Sequence, residues 1–146
     1  MSPKQIMSAF VEAHNARDVE RMMTYLAEDS VMIDVAAPIP LNSKDDVRTL
    51  YEMIFVSFDV RFEIAGMIAE GDKVFVALRT TGLGKGLWQG RDITGLHCDI
   101  FEGMFCEIDG NQIKKTMFYS DTAMLARQLG GHQAAIQMSS DVKSIM

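Results

Sequence analysis

Apolar residues in the first third of the chain recur at the three- and four-residue spacing of amphipathic helices. A first helix is predicted to begin at Ser2, because Ser2, Pro3 and Gln5 suit an N-cap, a first turn and a capping box. A second, shorter helix is predicted from Asp18 and a third from Ser43. The core-facing positions predicted for these helices are Ile6, Ala9, Phe10, Ala13, Val19, Met22, Met23, Leu26, Val47, Leu50, Tyr51 and Ile54.

Beyond residue 57 the apolar period changes from helical to alternating. Phe58, Val60 and Phe62 alternate with Asp59 and Arg61, which predicts a half-buried strand. The other predicted elements are strands at 30–35, 73–81, 93–107 and 112–120, turns at Gly71-Asp72 and Asp109-Gly110, and a short helix over 122–129 that Gly130 ends.

This order of elements predicts an α+β domain over residues 1–130, because three helices precede a meander of strands and no linker divides them. Residues 131–146 are polar and weakly patterned, so we expect a C-terminal tail that is mobile or acts as an interface arm. The glycine-rich stretch 82–90 is predicted to turn the chain between two long strands, with Trp88 covering a cavity.

The composition of the chain argues against several classes of partner and cofactor. Fourteen basic against 20 acidic residues leave a net charge of −6, so nucleic acid and anionic membranes are poor partners. No apolar run approaches membrane length. The two cysteines lack metal-type spacing and predict reduced thiols in a cytoplasmic protein. Because His14, His97 and His132 are scattered, we expect no metal site and no organic cofactor.

Asp121 is a candidate for acid/base chemistry. It follows Met117 and Tyr119 at alternating positions of the last strand, so all three are predicted to share one face. If that face lines an apolar pocket, the charged carboxylate is disfavoured and its proton becomes transferable. Asp121 also precedes a helix, and an N-cap role explains it equally well from spacing alone.

The last third of the chain is similar to the SnoaL-like polyketide cyclases of the ketosteroid-isomerase-like superfamily. The residues that carry the similarity are Thr81-Gly82, Ile93-Thr94-Gly95, Phe101-Glu102-Gly103-Met104, Asp109-Gly110-Asn111-Gln112-Ile113 and the run from Asp121 to Gly130. The resemblance implies a cone-shaped α+β barrel, with N-terminal helices packed in a strongly curved, mostly antiparallel sheet. It also implies that Asp121 does acid/base work at the mouth of an apolar pocket.

The resemblance implies further site residues. The stretch ending in Asp34 is similar to the segment in which ketosteroid isomerases carry a proton-shuttling aspartate, although a strand-end aspartate in water is the alternative. Phe10 and Glu102 match the places of that enzyme's oxyanion-hole tyrosine and protonated aspartic acid. Phe10 cannot donate a hydrogen bond, which argues against steroid isomerisation.

Further residues of the predicted pocket wall differ from the family pattern. His14 shares a helix face with Phe10 and is predicted to orient a carbonyl or share a proton with Asp121, or else to be a hydrogen-bonded helix-end histidine. Arg79 is followed by two threonines where the related epoxide hydrolases carry Arg-x-Asp, which argues against that triad. Met117 stands where the family often has tryptophan, and this predicts a roomier pocket.

These features predict a cofactor-independent enzyme that moves one proton on an apolar, carbonyl-rich small molecule, in an aldol-type cyclisation or an isomerisation. Asp121 would transfer the proton, and His14, Asp34 or Arg79 would steady the charge. The expected substrate-binding residues are Phe10, Arg79, Glu102, Met117 and Tyr119. The alternatives are an epoxide hydrolase or dehydratase, and a non-catalytic ligand-binding domain. A homodimer through the exposed sheet face is expected in every case.

Overall fold

The computed structural model describes residues 1–37 and 39–130 of the 146-residue chain. The predicted tail 131–146 and His132 lie outside the described residues. The elements in chain order are helices α1 (Pro3–Asn15) and α2 (Val19–Thr24), strand β1 (Leu26–Asp34), helix α3 (Lys44–Ser57), strands β2 (Phe58–Glu70), β3 (Lys73–Gly84), β4 (Leu87–Trp88), β5 (Arg91–Asp92), β6 (His97–Asp109) and β7 (Gln112–Ser120), and helix α4 (Thr122–Gln128).

The helices begin where side-chain caps satisfy the first free amide groups. Ser2 and Gln5 form the predicted capping box of α1, with bonds of 3.2 Å and 2.8 Å between side chain and backbone. Asp18 accepts a hydrogen bond from the amide of Arg21, and Ser43 caps α3 in the same way. The predicted starts of these three helices are therefore confirmed.

The α+β architecture is confirmed. Five strands form one sheet in the order β1-β7-β6-β3-β2, in which only the β1–β7 pair is parallel. β4 and β5 form a separate two-stranded ribbon. Helices α1 and α3 pack on the concave face of the sheet, where the largest buried side chains include Ile6, Met7, Leu78 and Met104.

Two predicted strand starts were wrong. β1 starts at Leu26 rather than at residue 30, so Leu26 belongs to the strand and not to the second helix. β2 ends at Glu70, directly before the predicted turn at Gly71-Asp72, and contains a bulge after Ile64. The strand predicted from residue 93 begins at His97, because the chain first crosses β3 closely at Gly84.

That crossing explains one glycine of the glycine-rich stretch. A Cβ atom on Gly84 would lie 2.0 Å from the carbonyl oxygen of Ile93, and the amide of Gly84 donates to Leu96 while its carbonyl accepts from Gly95. Only glycine fits between two backbones at this distance. The resulting loop places Ile93 against Phe58, beside the cavity described below.

Candidate functional site

A cavity of about 400 Å³ opens between the concave face of the sheet, α3 and α4, with the β4–β5 ribbon at one side. This volume falls within the range of small-molecule sites. Its wall is mostly apolar and aromatic, formed by Leu50, Ile54, Phe58, Val60, Phe62, Trp88, Ile93, Ile100, Phe118, Leu125 and Leu129. The polar side chains that face it include His14, Asp34, Tyr51, Thr80, Glu102 and Ser120.

Two carboxyl groups line the polar part of this wall. Asp34, at the end of β1, pairs with Phe118 of β7, and Glu102 of β6 pairs with Ser120 on the other side of β7. The two carboxyl-bearing strands therefore flank β7, about 10 Å apart at the backbone. The negative charge of Asp34 acts on the Glu102 carboxyl, so the two groups are electrostatically coupled.

Glu102 is held toward its acid form. Burial raises the pKa of Glu102 above its ordinary value, and the charge of Asp34 raises it further. Hydrogen bonding from the Ser120 and Thr80 side chains opposes this rise. The Thr80 hydroxyl has no partner at full hydrogen-bonding geometry among the described residues, so its interaction with Glu102 is a loose one. A carboxylic acid facing an apolar cavity can donate a proton to a carbonyl oxygen.

Asp34 differs from Glu102 in its surroundings. It is only partly buried, and its Oδ1 accepts a hydrogen bond of 2.9 Å from the amide of Ala36 just after the strand. This bond fixes the orientation of the carboxyl group at the end of β1. The cavity therefore has two carboxyl groups in different surroundings, of which Glu102 is the one held toward its acid form.

His14 lies at the inner wall of the cavity, 1% exposed. Its ring stacks on Phe62 at a centroid distance of 3.7 Å and meets the ring of Tyr51 edge-on. Burial is the main cause that lowers the pKa of His14 to about 4; nearby Arg17 lowers it as well, whereas the bond to Asn15 raises it. His14 is therefore a neutral imidazole at neutral pH and cannot serve as a cation there.

Tyr51 is a cavity residue that the sequence pattern did not single out as functional. It lies on α3, is 3% exposed and contacts Phe10 edge-on at 6.0 Å between ring centroids. Burial raises the pKa of its hydroxyl, so the phenol stays protonated and can donate. Phe10 itself packs in the core against a void of about 10 Å³ and does not line the larger cavity, which corrects its predicted substrate contact.

The predicted cavity face of the last strand was wrong. β7 turns Phe118 and Ser120 to the cavity, whereas Met117 and Tyr119 lie on the convex face, where the Tyr119 hydroxyl contacts the Met117 sulfur at 3.9 Å. Asp121 is exposed and does not line the cavity. Its carboxylate caps α4 by accepting a bond of 3.1 Å from the amide of Met124.

Arg79 also lies away from the cavity. It forms a bidentate salt bridge with Asp99 on the convex face, with 2.9 Å between Nε and Oδ1 and 2.7 Å between Nη2 and Oδ2. This arginine is therefore not placed to steady charge on a substrate in the cavity. Of the eight predicted site residues, the structure brings His14, Asp34 and Glu102 together and leaves the other five outside the cavity lining.

Residues 1–37 and 39–130 contain neither a candidate metal centre nor a candidate membrane span. No cluster of three or more His, Cys, Asp or Glu residues there is arranged to hold a metal ion. No helix in that part of the chain is long and apolar enough to cross a membrane.

Comparisons with known proteins agree with this architecture. The sequence profile of the SnoaL-like polyketide cyclases matches residues 4–129. A proposed polyketide cyclase from Xanthomonas campestris is 19% identical, with a TM-score of 0.82 over 87% of this chain and 96% of its own. IdmH from Streptomyces antibioticus, a proposed polyketide cyclase, is also 19% identical, with a TM-score of 0.79 over 89% of this chain and 99% of its own.

A third similar structure extends the comparison beyond the cyclases. A protein with a ketosteroid isomerase-like fold from Catenulispora acidiphila, solved in complex with trimethylamine, is 17% identical, with a TM-score of 0.73 over 86% of this chain and 92% of its own. A search of curated protein sequences found no match. At these identities the solved structures establish the fold.

Proposed function

Because this chain belongs to the SnoaL-like polyketide cyclase family, we propose that it is a cofactor-independent acid/base enzyme acting on an apolar, carbonyl-bearing small molecule. The observation that carries the proposal is the pairing of Asp34 and Glu102 in a largely apolar cavity, with Glu102 biased toward its acid form. The reaction is the transfer of a proton next to a carbonyl, leading to an aldol-type cyclisation or an isomerisation.

In the proposed mechanism Asp34 removes a proton from the carbon next to the carbonyl group. Glu102 gives its proton to the carbonyl oxygen, so an enol forms and no full negative charge develops on oxygen. Tyr51, as a protonated phenol at the same wall, donates a hydrogen bond to the oxygen. In isomerisation Asp34 returns its proton to another carbon of a conjugated enol, while the enol O–H proton goes back to Glu102. In cyclisation the enol carbon attacks a second carbonyl, whose oxygen takes the proton held by Asp34, while the enol O–H proton goes back to Glu102.

The proposal is tested by hydrogen exchange at the carbon next to the carbonyl of β-tetralone, a flat apolar ketone, in deuterated water. We expect the wild type to catalyse this exchange. Leu125→Trp, which fills the cavity from α4, should abolish it, while Arg127→Trp on the exposed side of the same helix should not. An equal exchange rate with and without the wild-type protein would contradict the proposal.

Asp121 provides a second test, because its predicted acid/base role competes with its capping role. Asp121→Ala should lower the free energy of unfolding by about 1 kcal/mol through loss of the cap, and exchange of β-tetralone should persist. Asp121→Asn is the matched control, since asparagine caps equally well but cannot transfer a proton. If Asp121→Asn folds normally and loses exchange, Asp121 rather than Asp34 moves the proton.

We also propose a homodimer through the convex face of the sheet. One row of apolar residues crosses all five strands there in register, formed by Ile68, Phe75, Phe105, Met117 and Ile33. Ile68 is 75% exposed and Phe101, on the same face, is 71% exposed. A continuous apolar stripe of this kind is typical of a surface that another protein covers.

Assembly is measured by light scattering of the purified protein. The wild type should have about twice the mass of one 16.3 kDa chain. The double variant Ile68→Glu, Phe101→Glu should have the mass of one chain, because it puts like charges of both copies into an apolar contact. A wild-type protein that is a monomer at high concentration would contradict this proposal.

A further inference from the structure

The hydroxyl group of Thr80 is buried without a partner. Thr80 is 4% exposed, and its Oγ1 is the one buried side-chain oxygen or nitrogen that lacks a hydrogen bond among the described residues. An unsatisfied buried hydroxyl is costly, and an isosteric valine would avoid the cost. A threonine at this position therefore needs a reason beyond packing.

Glu102 is the neighbour that supplies the reason. Thr80 pairs with Ile100 across β3 and β6, so Glu102 is the next cavity-facing residue along β6 and sits diagonally from Thr80. Diagonal neighbours of this kind lie within reach of a long side chain. The Thr80 hydroxyl is a donor beside the Glu102 carboxyl on the β3 side, as Ser120 is on the β7 side.

The hydroxyl groups of Ser120 and Thr80 differ in whether water can reach them. Ser120 is partly exposed at the cavity wall, so water can replace its hydrogen bonds. Thr80 Oγ1 is sealed from solvent, and the Glu102 carboxyl is the charged group beside it. A small movement of the Glu102 carboxylate would complete the bond that the resting structure leaves loose.

We propose that Thr80 is a positioning residue for Glu102, whose hydroxyl donates a full hydrogen bond to the Glu102 carboxylate once Glu102 has given up its proton. This inference rests on the proposed function, because it is the proposed reaction that removes the proton from Glu102. The proton passes from the carboxyl oxygen of Glu102 to the carbonyl oxygen of the substrate, and the O–H bond of Thr80 stays intact. Glu102 becomes a stronger acid because its charged form gains a donor.

Other titratable groups that line the cavity or interact with Glu102 must be held constant in the test. They are Asp34 from β1, His14 from α1, Tyr51 from α3, Arg91 from β5 and Cys98 from β6 itself. The variants used to test Thr80 leave all of these in place. Thr80→Val removes the hydroxyl and keeps the shape, whereas Thr80→Ser keeps the hydroxyl and removes a methyl group.

The first measurement is the titration of Glu102 by carboxyl-carbon NMR, assigned with Glu102→Gln. Thr80→Val should shift the pKa of Glu102 upward relative to the wild type, and Thr80→Ser should leave it near the wild-type value. An unchanged pKa of Glu102 in Thr80→Val would overturn the inference. An upward shift of equal size in Thr80→Ser would also overturn it, because packing rather than the hydroxyl would then be responsible.

The second measurement is thermal unfolding across pH. While Glu102 is protonated, at about pH 4, Thr80→Val should unfold at the same temperature as the wild type or slightly above it, because no bond is lost. Where Glu102 is ionised, its Tm should fall below that of the wild type by about 3 °C. A Tm lowered equally at both pH values would indicate a merely structural hydroxyl and would overturn the inference.

Different experimental results would contradict the proposed function and the proposed role of Thr80. If Thr80→Val leaves the titration of Glu102 unchanged while Asp34→Asn abolishes exchange of β-tetralone, this inference fails and the proposed function stands. If Thr80→Val shifts the titration but Asp34→Asn leaves exchange intact, the proposed function fails. In that case the role of Thr80 in the proton transfer fails with it.

Discussion

Asp34→Asn should slow hydrogen exchange on β-tetralone by about a hundredfold or more, because general base catalysis contributes about 10²–10⁴ to such a step. The amide of asparagine has nearly the shape of the carboxylate but cannot accept the proton. Asp34 is partly buried and touches the cavity, so the substitution should leave the fold intact. The measurement is the initial rate of exchange at saturating ketone, compared with the wild type.

Glu102 variants separate the two carboxyl groups. Glu102→Gln keeps a hydrogen-bond donor at the carbonyl oxygen, so we expect a loss of about tenfold, whereas Glu102→Leu should lose about 10²–10³. We expect the exchange rates of Asp34→Asn and Glu102→Leu to lie far below the rate of Glu102→Gln. This result would indicate that Asp34 acts as the base and Glu102 as the donor. An Asp34→Asn variant that folds as the wild type does and exchanges at the wild-type rate would contradict the assignment.

The second large effect concerns stability in acid. The pKa of His14 is lowered from 6.5 to about 4 in the folded protein by burial, so the unfolded chain binds a proton more readily between those values. The stability that depends on neutral His14 is therefore complete above about pH 6.5 and is lost as the pH falls toward about 4. The loss amounts to about 3 kcal/mol in the free energy of unfolding.

His14→Phe should remove this part of the acid sensitivity, because phenylalanine can keep the stack on Phe62 and has no proton to bind. The free energy of unfolding is measured with urea at about pH 7 and about pH 4.5 for both proteins. His97→Gln is the matched control, since His97 is exposed on the surface. If the wild type and His14→Phe lose the same amount between the two pH values, His14 is not the buried neutral group described here.

The sequence predicted the order and type of the main elements because local signals determine them. The capping residues Ser2 and Ser43 mark helix starts, and the alternation from Phe58 onward marks β2. The short ribbon β4–β5 was not predicted, since two-residue strands leave no periodic pattern. The start of β1 at Leu26 was missed because Leu26 also continues the helical spacing of α2.

The cavity face of β7 was wrongly predicted for a different reason. Alternation divides a strand into two faces, but it does not say which face meets the core. Both faces of β7 are apolar, with Phe118 on one and Met117 on the other, so the pattern was ambiguous. Anchoring the choice on Asp121 selected the convex face.

The polar residues of the cavity were only partly predictable. Asp34 and Glu102 were named from their resemblance to a ketosteroid isomerase pattern, while their coupling depends on strand order, which places β7 between them. Tyr51 reads as an ordinary core position of a helix, and Thr80 as an ordinary strand threonine. Their importance comes from burial beside Glu102, which no local pattern contains.

The electrostatic coupling of Asp34 and Glu102 is tested most directly by titrating Glu102 in the wild-type protein by carboxyl-carbon NMR and repeating the titration with Asp34→Asn. We expect a pKa of Glu102 above the ordinary glutamate value, and a smaller elevation in Asp34→Asn, because the neighbouring charge is removed while burial remains. A pKa of Glu102 at or below the ordinary value, unchanged by Asp34→Asn, would contradict a coupled acid and base in this cavity.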